Sequence, residues 1–405
     1  MYRVLISAAL YWLAAAVPAS AQVVLTLQDT IARAREQAGA VVIARARIVE
    51  AEAGVIDASA RFRDNPLIEG AAGPRAGSGR RWADVELAVT QQFETGGQRQ
   101  SRIAGARAAV DRQRAEGQQA VRRVVFDAAS AFLDAVAATE RLRIAEGADA
   151  IARELLNVTE RRFALGDIAA IDVNLSRIDA ARSTATLVSA RADLTAAVGT
   201  LRALLRIPST EPIDLRGSLD LSPPPPMERL EAGVEGRPEF AVLQAEIREA
   251  DAQAQLGRAL SRPDLALRVA YARESSDTIV LGGLTITLPA FQKGQGTLAI
   301  GVARANRART ETEIARQAAV ADLRTAYAVY EQHAALSAAL EKDASSSLAD
   351  NETLARRSYE AGEMNLMDSL LIRRDAIDMR LTIIDRRLDA ARSRLAVDFA
   401  AGVLQ

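Results

Sequence analysis

The chain contains 405 residues, with 51 lysines and arginines, 52 aspartates and glutamates and a formal net charge of −1. Balanced charge at this density is typical of solvated helix surfaces and gives no support to nucleic-acid binding. The sequence has no cysteine, which excludes disulfides, thiolate metal sites and lipid attachment through an N-terminal cysteine.

The first 21 residues are arranged as a secretory signal peptide. A short segment that contains Arg3 precedes an apolar run, and small residues stand immediately before Gln22. We therefore expect cleavage after Ala21. No later stretch approaches the ~20 continuous apolar residues of a membrane-spanning helix, so we expect none in the mature chain.

The first half of the mature chain predicts helices that flank a pair of strands. The spacing of Thr26 and Asp29 is that of a capping box at a helix start, and Asn65-Pro66 ends the alanine-rich pattern that follows. Apolar residues spaced by 3.5 on average predict a coiled-coil helix of ~100 Å after the strands. The predicted elements are a helix at 26–63, strands at 66–72 and 82–93, a long helix at 98–165 and a return helix at 170–206.

The second half repeats this order. Four consecutive prolines mark residues 208–226 as a linker, and FQKGQG from Phe291 aligns with FETGGQ from Phe93 at an offset of 291 − 93 = 198. The predicted elements are a helix at 227–260, strands at 264–271 and 279–289, a long helix to 361 and a return helix to the C-terminus. We thus predict a signal peptide at 1–21, a first repeat at 22–207, a linker at 208–226 and a second repeat at 227–405.

A sequence motif recurs where each long helix ends. RRFALGDIAAIDVNLSRIDA at 161–180 aligns with RSYEAGEMNLMDSLLIRRDA at 357–376, at an offset of 362 − 166 = 196. In each copy a glycine followed by an acidic residue interrupts a helical pattern, which predicts a helix end at a left-handed residue. The motif therefore predicts two helical hairpin tips.

Four amphipathic strands per chain are too few to close a barrel, which needs about eight, and open edges are not tolerated in lipid. A trimer would supply 12 strands (3 × 4), within the range of outer-membrane barrels. We predict a mainly helical fold with β-strands. It is an internally duplicated long-helix coiled-coil tube with four transmembrane strands per protomer, closing a 12-stranded barrel as a trimer.

These features resemble the TolC family of outer-membrane efflux channels. LPAFQKGQG at 288–296, QQFETGGQR at 91–99 and the Tyr359-x-x-Gly362 tip are similar to the branch that serves heavy-metal (cobalt, zinc, cadmium type) resistance pumps. The resemblance implies a passive homotrimeric duct in the outer membrane with a long periplasmic extension. It also implies a periplasmic adaptor protein, an inner-membrane proton-driven transporter, and export of metal cations or small toxic compounds.

The resemblance also implies roles for individual residues. Asp368 falls where the family places an acidic pore constriction, with Asp172 as its counterpart, whereas Leu371 occupies the family's second acidic position. The plainer interpretation of both aspartates is an acid that favours a helix start, and that of the glycines is an ordinary helix end. The residues expected at the adaptor-docking tips are Arg161, Phe163, Gly166, Asp167, Arg357, Tyr359, Gly362 and Glu363.

Other classes of protein fit parts of the pattern. A multidrug or type I protein-secretion duct would share the fold, and a periplasmic adaptor or structural coiled-coil protein would share the signal and the heptads. We find no grouping of nucleophile, base and orienting residue, so we predict neither an enzyme nor a cofactor. His333 is the only histidine, and we expect it to be solvated or at an interface rather than a metal ligand.

Overall fold

The structure, a computed structural model, describes residues 23–76 and 81–404, so the predicted signal peptide at 1–21 lies outside the described residues. The described chain is mainly helical. Its elements are β1 (Val23–Leu25), α1 (Leu27–Gln37), α2 (Gly39–Ala58), β2 (Leu67–Ala76), β3 (Arg81–Phe93), α3 (Gln98–Ala164), α4 (Ala170–Leu205), β4 (Ile213–Leu215), α5 (Met227–Glu231), α6 (Pro238–Ala259), β5 (Asp264–Glu274), β6 (Asp277–Thr287), α7 (Gln295–Glu360) and α8 (Leu366–Ala400).

The predicted N-terminal helix forms as two helices. The capping box is confirmed, because Thr26 Oγ1 accepts from the Asp29 N–H at 3.2 Å and the Asp29 carboxylate accepts from the Thr26 N–H at 3.1 Å. The predicted continuity to residue 63 is wrong: Ala38 has an extended backbone (φ −58°, ψ 143°), and α2 ends at Ala58. Ala38 is fully buried in a cluster with Val124 of α3, so the break coincides with a tertiary contact and not with a proline.

The segment predicted as a linker is packed into the fold. Its strand β4 pairs in parallel with β1, and Leu219 is 2% exposed in the main core. Gly217 has no room for a side chain, since an added Cβ would lie 2.8 Å from Cζ of Phe132. The helix predicted at 227–260 is likewise interrupted, because a short 3-10 turn at Val234–Gly236 separates α5 from α6.

An ion pair also fastens this segment to α8. Arg387 donates to the Asp220 carboxylate at 2.8 Å, and the Ser218 hydroxyl donates to it at 2.7 Å. Burial raises the pKa of Asp220, but the hydrogen bonds from Ser218 and Arg387 outweigh that effect, so the pKa lies below its ordinary value. The charged form of Asp220 is therefore the form that holds the segment in place.

The main core lies midway along α3. The predicted coiled-coil seam is confirmed there, because Val125, Ala128 and Phe132 are all fully buried. Residues from both repeats surround them, including Leu201 and Leu205 of α4 and Leu388 and Leu395 of α8. Truncating a buried phenylalanine such as Phe132 to alanine typically costs about 3–5 kcal/mol.

The long helices pack side by side, with different neighbours at the two ends of α3. Near the sheet, α3 packs between α2 and α6, and towards the tips it packs against α4 and α8. Helices α6 and α7 approach closely, since a Cβ on Gly257 would clash with the backbone N of Leu298. Among the described residues, no helix is both long enough and apolar enough to cross a membrane.

The four longer strands form one antiparallel sheet in the order β2-β3-β5-β6. The central pairing of β3 with β5 joins the two repeats, as in the pair Val89 and Val269. Strands β2 and β6 lie at the edges, and each has one side without a strand partner among residues 23–76 and 81–404. The sheet therefore ends in two open edges within a single protomer.

The two faces of this sheet differ in chemistry. On the polar face, Arg268 donates to Glu69 at 2.6 Å and to Glu86 at 3.0 Å. The opposite face carries exposed apolar residues, namely Ile68, Val85, Leu87, Val89, Leu267, Val269, Tyr271, Val280, Leu284 and Ile286. The alternation predicted from the sequence thus separates an apolar face from a polar one.

The junctions between sheet and long helices are equivalent in the two repeats. Gly97 (φ 86°) and Gly294 (φ 72°) precede α3 and α7, so the structural offset is 294 − 97 = 197. The predicted offset of 198 is wrong by one residue at this point. Gln98 and Gln295 each accept from the N–H two residues earlier, at 2.7 Å in both repeats.

Candidate functional site

The two predicted hairpin tips are present and have the same backbone geometry. In the first, Gly166 has φ 81°, its N–H donates to the Phe163 carbonyl at 2.9 Å, and the Asp167 N–H donates to the Arg162 carbonyl at 3.0 Å. This pair of hydrogen bonds is a Schellman motif, which satisfies the last carbonyls of α3. A side chain at Gly166 would be strained by the left-handed backbone alone.

The second tip repeats the motif. Gly362 has φ 76° and its N–H donates to the Tyr359 carbonyl at 3.1 Å, while the Glu363 N–H donates to the Ser358 carbonyl at 2.8 Å. No atom outside the local chain lies within 4 Å of an added Cβ at Gly166 or Gly362. The glycines are therefore required by the turn rather than by a close approach of another segment.

Most of the predicted tip residues are exposed. Arg161, Gly166, Asp167, Arg357, Gly362 and Glu363 are exposed, and Phe163 is 47% exposed. Tyr359 is half-buried, and the guanidinium of Arg162 lies over its ring at 5.8 Å from the centroid. This contact joins the end of α3 to the end of α7, and Arg162 was not among the residues predicted for the tips.

The two predicted constriction acids lie in the first turns of α4 and α8. The Asp368 N–H donates to Asn365 Oδ1 at 2.8 Å, and Asn365 Nδ2 donates to the Asp368 carboxylate at 2.8 Å. The Asp172 N–H donates only to the Ala169 carbonyl, at 3.1 Å, and no side chain caps this helix. Both acids thus favour a helix start, in agreement with the plainer interpretation.

The two hairpins are also joined near the tips. Arg373 of α8 donates to Asp179 of α4 at 2.7 Å, and the side chains are 12% and 23% exposed. Within the first hairpin, Arg177 of α4 binds Glu160 of α3 at 2.9 Å. The repeat aligns Arg177 with Arg373, but the two arginines bind different partners, which the alignment does not predict.

The described residues contain no group of three or more histidine, cysteine, aspartate or glutamate side chains arranged to hold a metal ion. His333 is half-buried, and its Nδ1 lies 3.3 Å from the Asp389 carbonyl oxygen of α8. The histidine thus lies at a contact between α7 and α8, in agreement with the prediction of a solvated or interface residue.

Duplicated long helices, a four-stranded sheet with an apolar face, and paired tips define the class of outer-membrane efflux channels. A family model described as outer membrane efflux protein matches residues 30–205 and 232–403, and the chain belongs to this family. The family and fold are those of a passive channel and not of an enzyme, and they indicate an outer-membrane location. Channels of this family work with an adaptor and an inner-membrane pump.

Known relatives give the degree of similarity. The chain is 27% identical over 296 residues to the cobalt-zinc-cadmium resistance protein CzcC of Cupriavidus metallidurans. The aligned region covers 71% of this chain and 70% of that protein. It is 28% identical over 284 residues to the nickel-cobalt-cadmium resistance protein NccC of Alcaligenes xylosoxydans xylosoxydans, covering 67% of this chain and 64% of that protein.

The fold is similar to the crystal structure of the Campylobacter jejuni CmeC outer membrane channel, with a TM-score of 0.76. The two are 14% identical, and the similarity covers 93% of this chain and 85% of that chain. The prediction of an efflux channel is confirmed by the family match, and the alternative of a periplasmic adaptor or structural coiled-coil protein is excluded by it.

Proposed function

We propose that this chain forms a homotrimeric duct for the export of metal cations or small toxic compounds across the periplasm and the outer membrane. The two open edges of the sheet carry the trimer proposal, because β2 and β6 have no outer partner among the described residues. If β2 of each of three copies pairs with β6 of the next copy, the backbone groups of every edge strand find partners, and the result is a 12-stranded barrel (3 × 4 strands).

The dimensions and faces of the strands support insertion into lipid. Strands β5 and β6 have 11 residues each, which is the length of a tilted membrane-spanning strand. The apolar face of the sheet would face lipid, and the polar face with Arg268, Glu69 and Glu86 would line the lumen. The helices would continue the lumen as a tube into the periplasm.

The organisation of the chain supports the predicted division into repeats. The family match has two segments, at 30–205 and 232–403, which lie within the proposed repeats at 22–207 and 227–405. We propose residues 208–226 as the packed connection between them and residues 1–21 as a signal peptide that is removed. The proposed tube then begins with β1 and ends with α8.

The proposed cargo follows from the names of the relatives. CzcC and NccC are named for resistance to metals, and both names include cobalt and cadmium. We propose these two cations as the first substrates to test. Deletion of the encoding gene should lower the cobalt and cadmium concentrations that cells tolerate, and the intact chain should restore them. Sensitivity to organic toxicants alone would instead support the multidrug alternative.

The tips are proposed to dock the periplasmic adaptor of the pump. Their exposed cations and glycine turns occur twice with one geometry, so two equivalent surfaces per protomer can meet the same partner. These surfaces comprise Arg161, Phe163, Gly166 and Asp167 in one tip and Arg357, Tyr359, Gly362 and Glu363 in the other. We further propose that Asp368, with Asp172, narrows the periplasmic entrance as a ring of carboxylates.

The trimer is tested by cysteine cross-linking, because the sequence contains no native cysteine. Cysteine at Ala71 or Gly73 of β2 would be combined with cysteine at Leu281 or Gly283 of β6 and oxidised in outer membranes. We expect disulfide-linked dimers and trimers from at least one combination. The register of β2 against the neighbour's β6 determines which pair of cysteines is close enough to bond. Monomers from every combination would contradict barrel closure.

The matched control uses cysteines at Ala88 and Ala270, which pair across β3 and β5 within one chain. This variant should form an internal disulfide and keep the mobility of a monomer on a denaturing gel. Linked oligomers from the control would show that oxidation is not specific to neighbouring positions.

A further inference from the structure

We infer that Arg177 of one protomer binds Asp375 of the neighbouring protomer, so that these residues form an ion pair between copies of this chain. The inference rests on the proposed trimer and names one of its contacts. It starts from the sequence repeat, in which one offset relates Arg177 to Arg373 (373 − 177 = 196) and Asp179 to Asp375 (375 − 179 = 196).

One half of the pattern is observed within the protomer. Arg373 of α8, in the second hairpin, binds Asp179 of α4, in the first hairpin, at 2.7 Å. Their side chains are 12% and 23% exposed, so the contact is shielded from solvent. This pair shows how a second-repeat hairpin meets a first-repeat hairpin.

Rotational symmetry extends this contact to the next copy. In a closed ring of three protomers, hairpins of the first and second repeats alternate, so each second-repeat hairpin also meets the first-repeat hairpin of its neighbour. Because the two repeats are similar, an approximate rotation about the ring axis superposes each hairpin on the next one in the ring. This rotation places Asp179 of the first hairpin on Asp375 of the second. It also places Arg373 of the second hairpin on Arg177 in the first hairpin of the neighbouring protomer. The observed pair therefore has a symmetry equivalent across the protomer boundary.

Both residues are available for this contact in the single protomer. Asp375 is exposed, and it has no side-chain hydrogen bond or ion pair with any residue in the described ranges 23–76 and 81–404. Arg177 is 60% exposed and binds Glu160 through Nε at 3.1 Å and Nη2 at 2.9 Å. An exposed pair of this kind contributes little stability, and a guanidinium has further donors, so Arg177 can bind Asp375 as well as Glu160.

A sequence difference accounts for the different partners of Arg373 and Arg177 within a single protomer. The position equivalent to Glu160 is Arg356 (356 − 160 = 196), which cannot accept a hydrogen bond. Arg373 thus has no acidic residue at that place in its own hairpin and binds across to Asp179. In the single protomer Arg177 has Glu160 of its own hairpin as an acceptor.

The surface around Arg177 suits a neighbouring helix. Ile171 and Ile178 of α4 are 65% and 58% exposed and are seven residues apart, which places them on one stripe of a coiled-coil helix. Burial of such a stripe favours association, and an ion pair beside it fixes the register. The occupant that the repeat symmetry selects is α8 of a second copy of this chain.

Thiol cross-linking tests the pair in the intact chain. Arg177→Cys combined with Asp375→Cys would be treated, in outer membranes, with a bifunctional thiol reagent about as long as an arginine side chain. We expect covalent dimers and trimers. The matched control, Asp179→Cys combined with Arg373→Cys, should react with the same reagent and remain a monomer, because that pair lies within one protomer.

A charge exchange provides a second measurement that does not need cysteine. Asp375→Arg alone should lower the ratio of trimer to monomer in mild detergent several-fold, because it places two cations together. Adding Arg177→Asp should restore the ratio, whereas Arg177→Asp alone should lower it. Double variants that fail to restore the ratio would overturn the inference.

The outcomes separate this inference from the proposed function. Interchain products from the β2 and β6 cysteines, together with only monomers from positions 177 and 375, would leave the trimer intact and overturn the ion pair. Absence of interchain products from both sets would overturn the trimer itself. Interchain products from the control pair at 179 and 373 would also overturn the inference, since the observed contact would then lie between copies.

Discussion

The first and second tips have the same turn and differ in how the next helix begins. Before α4 stands Ala169, which has no side-chain group to cap the helix, whereas Asn365 caps α8 through Asp368 at 2.8 Å. These positions are equivalent in the repeat (365 − 169 = 196). The ring of Tyr359 in the second tip lies beneath the guanidinium of Arg162, whereas its counterpart Phe163 has no such contact in the described structure.

This difference shows what a duplicated motif retains and what it changes. The left-handed glycine and its two hydrogen bonds are retained because the backbone cannot turn otherwise. The side chains around the turn have diverged, so the helix after the second tip has a side-chain cap and the helix after the first tip has none. Asp368 is consequently held by Asn365 in one orientation, and the carboxylate of Asp172 has no comparable hydrogen bond among the described residues.

The largest effect is expected from reversing charge at both tips. Arg161→Glu with Arg357→Glu should lower metal tolerance of complemented cells more than roughly tenfold, because like charges then face whatever acidic groups the cations met. Each single variant should lower metal tolerance less, and the two decreases show which tip contributes more to docking. Tolerance and trimer abundance on a native gel are measured together.

The control for this experiment is Arg107→Glu with Arg229→Glu, which reverses two exposed arginines far from the tips in the sequence. It should leave tolerance unchanged. If the tip variant loses its trimer, these arginines support assembly, and if it keeps full tolerance, the tips do not dock the partner through charge.

A smaller effect is expected from the acids behind the tips. In planar bilayers, Asp368→Ala should raise single-channel conductance and weaken cation selectivity and block by divalent ions, because a ring of fixed carboxylates attracts cations. Asp172→Ala should change these properties less, since it has no side-chain cap to fix its orientation. Asp193→Ala, on α4 far from the tip in sequence, serves as the control.

Equal conductance for wild type and Asp368→Ala would contradict a role at the entrance and leave only the helix-start role. A larger change from Asp172→Ala than from Asp368→Ala would reverse the proposed ranking of the two tips.

The caps themselves can be exchanged between the tips. Asn365→Ala should destabilise the start of α8 by about 1 kcal/mol, and Ala169→Asn should stabilise the start of α4 by a similar amount. Backbone hydrogen exchange in the first turn of each helix measures the two changes, which should be about fivefold and opposite in sign. Slower exchange in both variants, or no change in either, would show that the cap does not account for the difference.

The smallest effect is expected from the aromatic residues of the tips. Tyr359→Leu removes the ring beneath Arg162 and should cost about 0.5–1 kcal/mol, the usual contribution of an exposed cation–π contact. Phe163→Leu should cost less, because its ring has no such partner. Proteolysis rates within the tips compare the two variants. A larger increase for Phe163→Leu would indicate a contact of Phe163 in the assembly.

The sequence predicted those parts of the fold that depend on local signals. Periodicity placed α3 and α7 within a few residues of their ends, and alternation placed β3 and β5, because each pattern reflects a face that must be buried or exposed along its whole length. The capping box at Thr26 and the glycine turns were predictable for the same reason. Asn365 followed by Asp368 has the spacing of a capped helix start, and this signal was overlooked.

Contacts between distant segments could not be predicted in this way. The break at Ala38 lies where that residue is buried with Val124 of α3, and β1 and β4 are strands of three residues, too short for any periodicity. The prolines before α5 suggested a free linker, yet Leu219 and Asp220 fasten the preceding residues to the core and to α8. At the tips, the repeat identified Arg177 and Arg373, but only geometry showed their different partners.

The parallel pairing of β1 with β4 sets an order of events during biogenesis. These strands start 190 positions apart (213 − 23 = 190), so the N-terminal strand of a chain that emerges N-terminus first waits until the whole first repeat is present. At that moment β5 has not yet emerged, and β3 has only β2 beside it. Contacts of such high sequence separation form slowly. The helices of the first repeat can therefore begin to fold while β3 still lacks its partner β5, and during this interval the open edge of β3 exposes the chain to aggregation.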